Sequence, residues 1–510
     1  MMLVRTLVAL AVMGSGLVGP SLAPTRPDLT QQAPEEEQAR RQLESGRSFA
    51  RQGNYTEAIR DFRAVADTYG TSSVADNALL EMARYYLDVA GDLKETSTAV
   101  ETILRKYPTS DSAPEAILIT GRLAMSRSHQ GADLDTALAN FDRVSRLFPN
   151  SDVVARSLVM AGEALWYAGR YDDALASLVR AEVEYPGDAA TAHAHLHAAR
   201  VMVSRGDPIG AMEELQQVRN RWPGSPEAED ALGRSTILHR LHVRARNGAP
   251  YALTAETPGP AKLQNVVGLG ASRGAIYWAA ESGFGLLSPA KATAPPTGTK
   301  PRGLAIDAAG NLVAIEAGGL RPSGGQVIAL PFPRQNQPAA PLAKIDAAVQ
   351  LFNGEWLIAD DDARGIQRFS KTGEYVAAFS TTRVSRLAIN ALDEIAGLDR
   401  EQKGVVFFDA AGKVTGRLPA KGAGYDVPNL EDLAFDQFGY LYLLDRAAIA
   451  VFSPVAGTQP GQNGTYKLVA VFTEPATNAN AFRRATAFAL DRSGGLYLYD
   501  ERDQRVRVYR

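Results

Sequence analysis

The chain has no cysteine in its 510 residues. That excludes disulfides, thiolate metal centres and a cysteine nucleophile. It also removes the residue on which a bacterial lipoprotein is acylated. A strong charge of one sign is missing too. The 54 Lys+Arg face 57 Asp+Glu, a formal net charge of −3, so there is no electrostatic footprint for nucleic acid. Histidine is scarce and confined: all six lie between His129 and His242, and the second half has none. Beyond the N-terminus no hydrophobic run is long enough to span a bilayer. No Walker loop, nucleophile elbow or dinucleotide fingerprint occurs. "GLGASRG" from Gly268 has the glycines of a phosphate loop, but no helix pattern follows it.

What is present begins with an export pattern. Arg5 precedes an apolar stretch, Leu7 to Gly19, that is too short for a membrane span and is followed by small residues. Residues 1–23 read as a signal peptide, with Ser21-Leu22-Ala23 fitting the small-x-small rule and Pro24 awkwardly placed just after it. Residues 24–37, rich in Pro, Gln and Glu, read as a disordered lead-in.

A repeat follows. "YGTSSVADNAL" starts at Tyr69, "YPTSDSAPEAI" at Tyr107, "FPNSDVVARSL" at Phe148, "YPGDAATAHAH" at Tyr185 and "WPGSPEAEDAL" at Trp222, at spacings of 38, 41, 37 and 37. Pro stops one helix and Ser, Asp or Thr caps the next. Inside each unit small residues alternate with large ones. Gly46, Ala58 and Phe62 in the first unit correspond to Gly162, Ala174 and Leu178 in the fourth. "RQGNYTEAI" and "YAGRYDDAL" mark turns between paired helices. The third unit carries extra residues around Ser128 to Ala132.

These five units, residues 38–225, resemble tetratricopeptide (TPR) repeats. Their aromatic-Pro-Ser ends are similar to those of the Tol–Pal coordinator and the outer-membrane assembly lipoprotein of bacterial envelopes. Residues 226–248 read as a capping helix and linker. The resemblance implies a concave face that binds peptides. One position on that face is charged in every unit: Arg47, Arg84, Arg122, Glu163 and Arg200, beside an apolar column of Leu43, Leu80, Leu118, Val159 and Leu196. Two readings stand. The arginines form a clamp for an acidic peptide or chain end, since guanidinium suits carboxylate. Or they form ion pairs between repeats. Trp166 and Tyr167 are groove anchors on the first reading and packing on the second.

The second half repeats a different sentence. "LAFDQFGYLYLLD" starts at Leu433 and "FALDRSGGLYLYD" at Phe488. Looser copies start at Leu304, Ala348 and Leu387, and a degenerate one at Gly268. A turn demanding positive φ falls at Gly274, Gly310, Gly354, Asp393, Gly439 and Gly494, between two strands, and a third strand follows. Residues 249–510 resemble the NHL repeat, which implies a six-bladed β-propeller. The chain ends on a third strand. "APYALTA" (Ala249 to Ala255) is placed to supply the fourth and close the ring. Residues 454–465 read as a loop insert in blade five.

The fold expected is therefore α + β multidomain: an α-helical TPR solenoid, then an all-β propeller. Some six-bladed propellers are enzymes. The zinc lyases use histidines that this half lacks. Calcium lactonases use oxygen ligands, for which Glu281, Glu316, Asp360, Asp399, Asp445 and Asp500 are candidates. A residue demanded once per blade, however, serves the blade itself, by capping a turn or bonding a strand. The acidic turn "ADDDARG" at Ala359 reads as solvated. His193 and His197 of "HAHLH" share a helix face, and His239 and His242 form a looser pair, but neither has an evident third metal ligand. The reading is a non-enzymatic, exported scaffold, periplasmic or secreted. It takes protein or peptide partners, acidic ones on the clamp reading, no nucleic acid and no cofactor. The alternative is a calcium-dependent lactonase-like enzyme or a small-ligand sensor using the propeller channel.

Overall fold

The computed structural model describes residues 29–127, 131–247, 249–254, 258–260, 262–272, 274–288, 300–334, 337–455, 466–474 and 481–510. The signal-peptide reading, residues 128–130 of the third-unit insertion and residues 456–465 of the blade-five insert lie outside them. A helical TPR-like region precedes a six-bladed propeller of small antiparallel sheets. Compact units divide between Tyr85 and Tyr86.

The first unit holds α1 (Leu29–Arg51), α2 (Tyr55–Thr68) and α3 (Ala75–Tyr85). Helix α1 begins at Leu29, so residues 29–37 are helical and not the irregular lead-in that their composition suggests. The reason lies four residues on. Glu36 bonds Arg40 and Glu37 bonds Arg41, each at i,i+4 in the favourable order. Glu36 also accepts the Ser73 amide at 3.0 Å. The small-large alternation works by close approach. A Cβ on Gly46 would sit 2.6 Å from the Phe62 ring.

The second unit continues the array with α4 (Leu93–Lys106), α5 (Ala113–Arg127), α6 (Gly131–Leu147), α7 (Val153–Tyr167), α8 (Tyr171–Glu184), α9 (Ala190–Ser204), α10 (Pro208–Arg221) and α11 (Pro226–His239). The same packing rule recurs. A Cβ on Gly121 would meet Phe141 at 2.5 Å, and one on Gly162 would meet Leu178 at 2.6 Å.

Residues 226–247, read as a capping helix and linker, pack against the propeller. Helix α11 runs into a π-helical turn, Arg240–Arg244. Ile237, Leu238 and Leu241 share one buried cluster with Tyr251, Phe438, Tyr440 and Tyr442 of the propeller. The Arg240 guanidinium donates to the Ser493 carbonyl at 2.8 Å, and the Tyr251 hydroxyl to the Gly494 carbonyl at 3.2 Å. Apolar residues at 237, 238 and 241 give this segment a face that only burial satisfies. The last helix of the array is thereby seated on the blade turns. Leu392, in the blade-four turn, packs against the helical core as well.

The six innermost strands are Val266–Ser272, Gly303–Ile306, Ile345–Gln350, Val384–Ile389, Leu430–Phe435 and Ala485–Leu490. Each neighbours the next, and the last neighbours the first, so the ring closes. All six turn positions have positive φ: 81°, 77°, 87°, 54°, 81° and 69° at Gly274, Gly310, Gly354, Asp393, Gly439 and Gly494. The closing strand is where the sequence puts it. Ala252 and Arg510 exchange backbone hydrogen bonds at 3.0 Å, Thr254 N donates to Val508 O at 2.9 Å, and Leu253 bridges Tyr509. The last sheet therefore has no open edge at the chain's end.

Candidate functional site

A concavity of about 910 Å³ in the second unit is lined by the first helices of successive helix pairs. Leu118 and Arg122 come from α5, Met160 from α7, His193 and His197 from α9, and Trp222 from the turn before α11. This is the groove that the TPR resemblance implies.

The charged ladder is engaged in ion pairs. In the first unit the Arg47 Nε donates to Glu81 at 3.0 Å, and Arg84 lies 3.7 Å from the same carboxylate. In the second unit Arg122 bonds Asp88, and Arg156 makes a two-pronged pair with the buried Glu115. Arg200 lies 4.0 Å from Glu163 and 4.9 Å from the Trp166 ring. Burial raises the Glu163 carboxyl and lowers Arg200, each against the opposite pull of its partner. The ion-pair reading thus describes the resting protein. The partner acids were readable in principle: Glu81 follows Arg47 by 34 residues, and Asp88 precedes Arg122 by 34, about one repeat length.

Two further expectations change. The apolar column of Leu43, Leu80, Leu118, Val159 and Leu196 is buried, each residue 7% exposed or less, so it is core, with Leu118 and Val159 also forming part of the groove floor. Trp166 is 4% exposed and its Nε1 donates to Ser204 Oγ at 2.9 Å, so it is packing and not a groove anchor. Tyr167 is half-buried against it, with ring centroids 5.0 Å apart. Burial pushes the Tyr167 hydroxyl up, and Glu163 adds to this.

In the propeller the once-per-blade acids serve the blades. In three blades one carboxylate oxygen reaches back to the start of the first strand, and the other caps the next turn. Asp360 accepts from Lys344 N and Ala363 N at 3.0 and 2.8 Å. Asp445 accepts from Asn429 N and Ala447 N at 2.6 and 3.1 Å, and Asp500 from Arg483 N and Arg502 N at 3.1 and 3.0 Å. Asp399 caps Glu401 N and Gln402 N and pairs with Arg417. Glu316 pairs with Arg321, and Glu281 accepts from Asn265. In the acidic turn Asp361 pairs with Arg383 and Asp362 with Lys344.

The channel itself is a space of about 250 Å³ whose charged lining is Asp346, Arg386 and Asp432. Arg386 Nε lies 3.8 Å from Asp432, and Asp346 pairs with Arg400 at 2.7 Å. Burial raises both aspartates, Asp432 to about 6. A guanidinium beside these carboxylates opposes a divalent cation there.

The histidines separate into distinct settings. His193 is 3.7 Å from Glu227 and lines the groove with His197, which burial lowers well below the usual imidazole range. His242 Nε2 is 2.8 Å from the Tyr440 hydroxyl, and burial pushes the imidazole down to about 4. His195, the middle histidine of "HAHLH", is the one that meets two acids. Its Nδ1 is 2.7 Å from Glu214 and 3.3 Å from Glu182. The available signal was its core-facing position on α9, one turn before Ala199.

Residues 35–157 match the family model described as YfiO, outer membrane lipoprotein. That is less than half of the chain. No curated protein matches. Among solved structures, a thermophilic TPR protein of Thermus thermophilus shares 19% identity at a TM-score of 0.31, over 38% of this chain and 98% of that one. PilW, described as a type IV pilus biogenesis factor, shares 16% at 0.33, over 40% and 84%. A gluconolactonase of Xanthomonas campestris shares 14% at 0.34, over 49% and 86%. None of these reaches a TM-score of 0.5.

Proposed function

We propose that this chain is a non-enzymatic, exported scaffold of the cell envelope that holds a protein partner in its helical groove. The observation that carries the reading is the groove of about 910 Å³ built from successive repeats. A concavity of that size, with an apolar floor and a polar rim, suits an extended or helical peptide. The envelope setting is supported by the family match over residues 35–157 and by the export pattern of the N-terminus. The propeller supplies a support: its blade turns are packed against α11 and the π-turn that follows it.

An acidic partner is read by exchange. Its carboxylate takes the place of Asp88 on Arg122, or of Glu115 on Arg156, both of which lie on the groove wall. The test is crosslinked capture in living cells, comparing the intact protein with Met160→Arg and with Arg122→Ala. One envelope protein captured by the intact form, lost from folded Met160→Arg and weakened in Arg122→Ala, supports both the groove and the acidic partner. Equal capture by all three removes the groove reading.

The alternative, a calcium-dependent channel enzyme or sensor, draws on the polar lining at Asp346 and Asp432. Calcium-dependent protection of the propeller that is lost in Asp346→Asn would revive it.

A further inference from the structure

Three consecutive helices each place one potential metal ligand at a common point. Glu182 comes from α8, His195 from α9 and Glu214 from α10. One atom of each lies within 4.8 Å of the others. The imidazole is 3% exposed and the Glu214 side chain 24%, so the point is enclosed yet reachable from solvent.

The hydrogen bonding shows what is missing. Arg221 Nη1 lies 3.2 Å from His195 Nε2. A guanidinium only donates, so Nε2 accepts and the ring proton sits on Nδ1. That proton faces Glu214 at 2.7 Å and Glu182 at 3.3 Å. One N–H satisfies one acceptor. Glu182 Oε1 is fully buried and accepts no hydrogen bond. Such an orphan is costly, and an unseen ion is one of its ordinary explanations.

We propose that Glu182, His195 and Glu214 bind a divalent transition metal, zinc being the ion their donor set suits. One imidazole nitrogen and two carboxylate oxygens are a normal zinc donor set, with a fourth position left for water. The metal takes the place of the Nδ1 proton between the two carboxylates. The imidazole stays neutral, so its proton moves to Nε2. Nε2 then becomes a donor and can no longer accept from Arg221. Arg221 must leave, which its exposed position allows. It is therefore a built-in competitor of the metal: an imidazole on a metal ordinarily donates its second N–H to an acceptor. The ion would tie α8, α9 and α10 together, and α9 also carries His193 and His197 of the groove wall.

The test is calorimetric titration of the chelator-stripped full chain with zinc chloride, beside Glu182→Gln, Glu214→Gln and Arg221→Ala. The expected result is one saturable site per chain, weakened at least about tenfold in each Gln variant and tightened severalfold in Arg221→Ala. Absence of stoichiometric binding to the native chain overturns the proposal. Equal affinity in native and Gln variants overturns it as well, because the ion would then sit elsewhere, for instance at His193 and Glu227. Should a Gln variant fail to fold, Arg221→Ala still decides, since it keeps all three ligands and must bind more tightly.

Discussion

Both halves of the molecule carry a charged residue once per repeat, and the two ladders behave differently. In blades three to six of the propeller the acid at the end of the second strand bonds backbone within its own blade, as Asp360, Asp399, Asp445 and Asp500 do. In the helical array the arginine pairs outward: Arg47 with the next helix pair's Glu81, Arg122 with Asp88 of the preceding one. A backbone N–H is always there to be bonded, so the Asp of these four blades needs no second residue, whereas Glu281 and Glu316 in the first two bond the side chains of Asn265 and Arg321. A side-chain partner has to be supplied separately, and the helical ladder is accordingly broken by Glu163. Periodic charge is thus structural in both halves, but only the helical kind leaves its partners exchangeable.

The sharpest way to break the comparison is in the blades. Asp500 is fully buried and holds two backbone amides. Asp500→Ala leaves both unpaired and should destabilise the propeller by about 3 kcal/mol, read from urea unfolding followed by far-UV circular dichroism. A loss under about 1 kcal/mol would show that the carboxylate is not holding the blade. Next in size is the array's own backbone requirement. Gly121→Val places carbon against the Phe141 ring and should cost about 2 kcal/mol through overpacking, measured by thermal melting.

The first Asp of the repeated blade sentence makes a third test. Asp436 accepts from Phe438 N, Tyr440 N and the Tyr442 hydroxyl, and burial pushes its carboxyl from 3.8 up to about 7. The folded state therefore keeps a proton that the unfolded chain has lost, between about pH 4 and 7. Stability from this group falls as pH rises through that window. His242 acts in the opposite sense: with its folded value near 4 it favours the folded state as pH rises from 4 toward 6.5. Comparing the native chain with Asp436→Asn isolates the aspartate. Between pH 5 and 8 the native chain should lose about 2 kcal/mol more than the variant. Parallel pH profiles would mean that Asp436 stays ionised throughout.

Much of this was legible because backbone geometry dictates residue type. Positive φ at six turn positions selects Gly or Asp, close helix approach selects Gly46, Gly121 and Gly162, and a missing fourth strand must come from the segment before blade one. What stayed hidden depends on side chains brought together from different elements. The partners of the arginines, the Glu182–His195–Glu214 cluster and the seating of α11 on the blade turns are of this kind. Pattern shows that Ile237, Leu238 and Leu241 need covering, but not that Tyr440 and Tyr442 cover them. The helix over residues 29–37 was obscured by composition, since Pro and Gln outweighed the Glu–Arg spacing that stabilises it.

The smallest expected change in stability carries the most functional information. Arg122→Ala removes a one-third exposed guanidinium and its pair with Asp88. A surface pair of this kind contributes under about 1 kcal/mol, so the variant should fold and melt almost as the native chain does. If the helical ladder serves only the fold, partner capture should be equally unaffected. If its exchangeable pairs read an acidic partner, capture should weaken in Arg122→Ala while the melting temperature stays put, and added salt should weaken the native complex in the same direction. The blade ladder permits no such separation. Removing Asp500 damages the fold, so a lost interaction there says nothing about recognition. Arg122 can be removed cleanly, and it is at Arg122 that structural and functional readings of the periodic charge part.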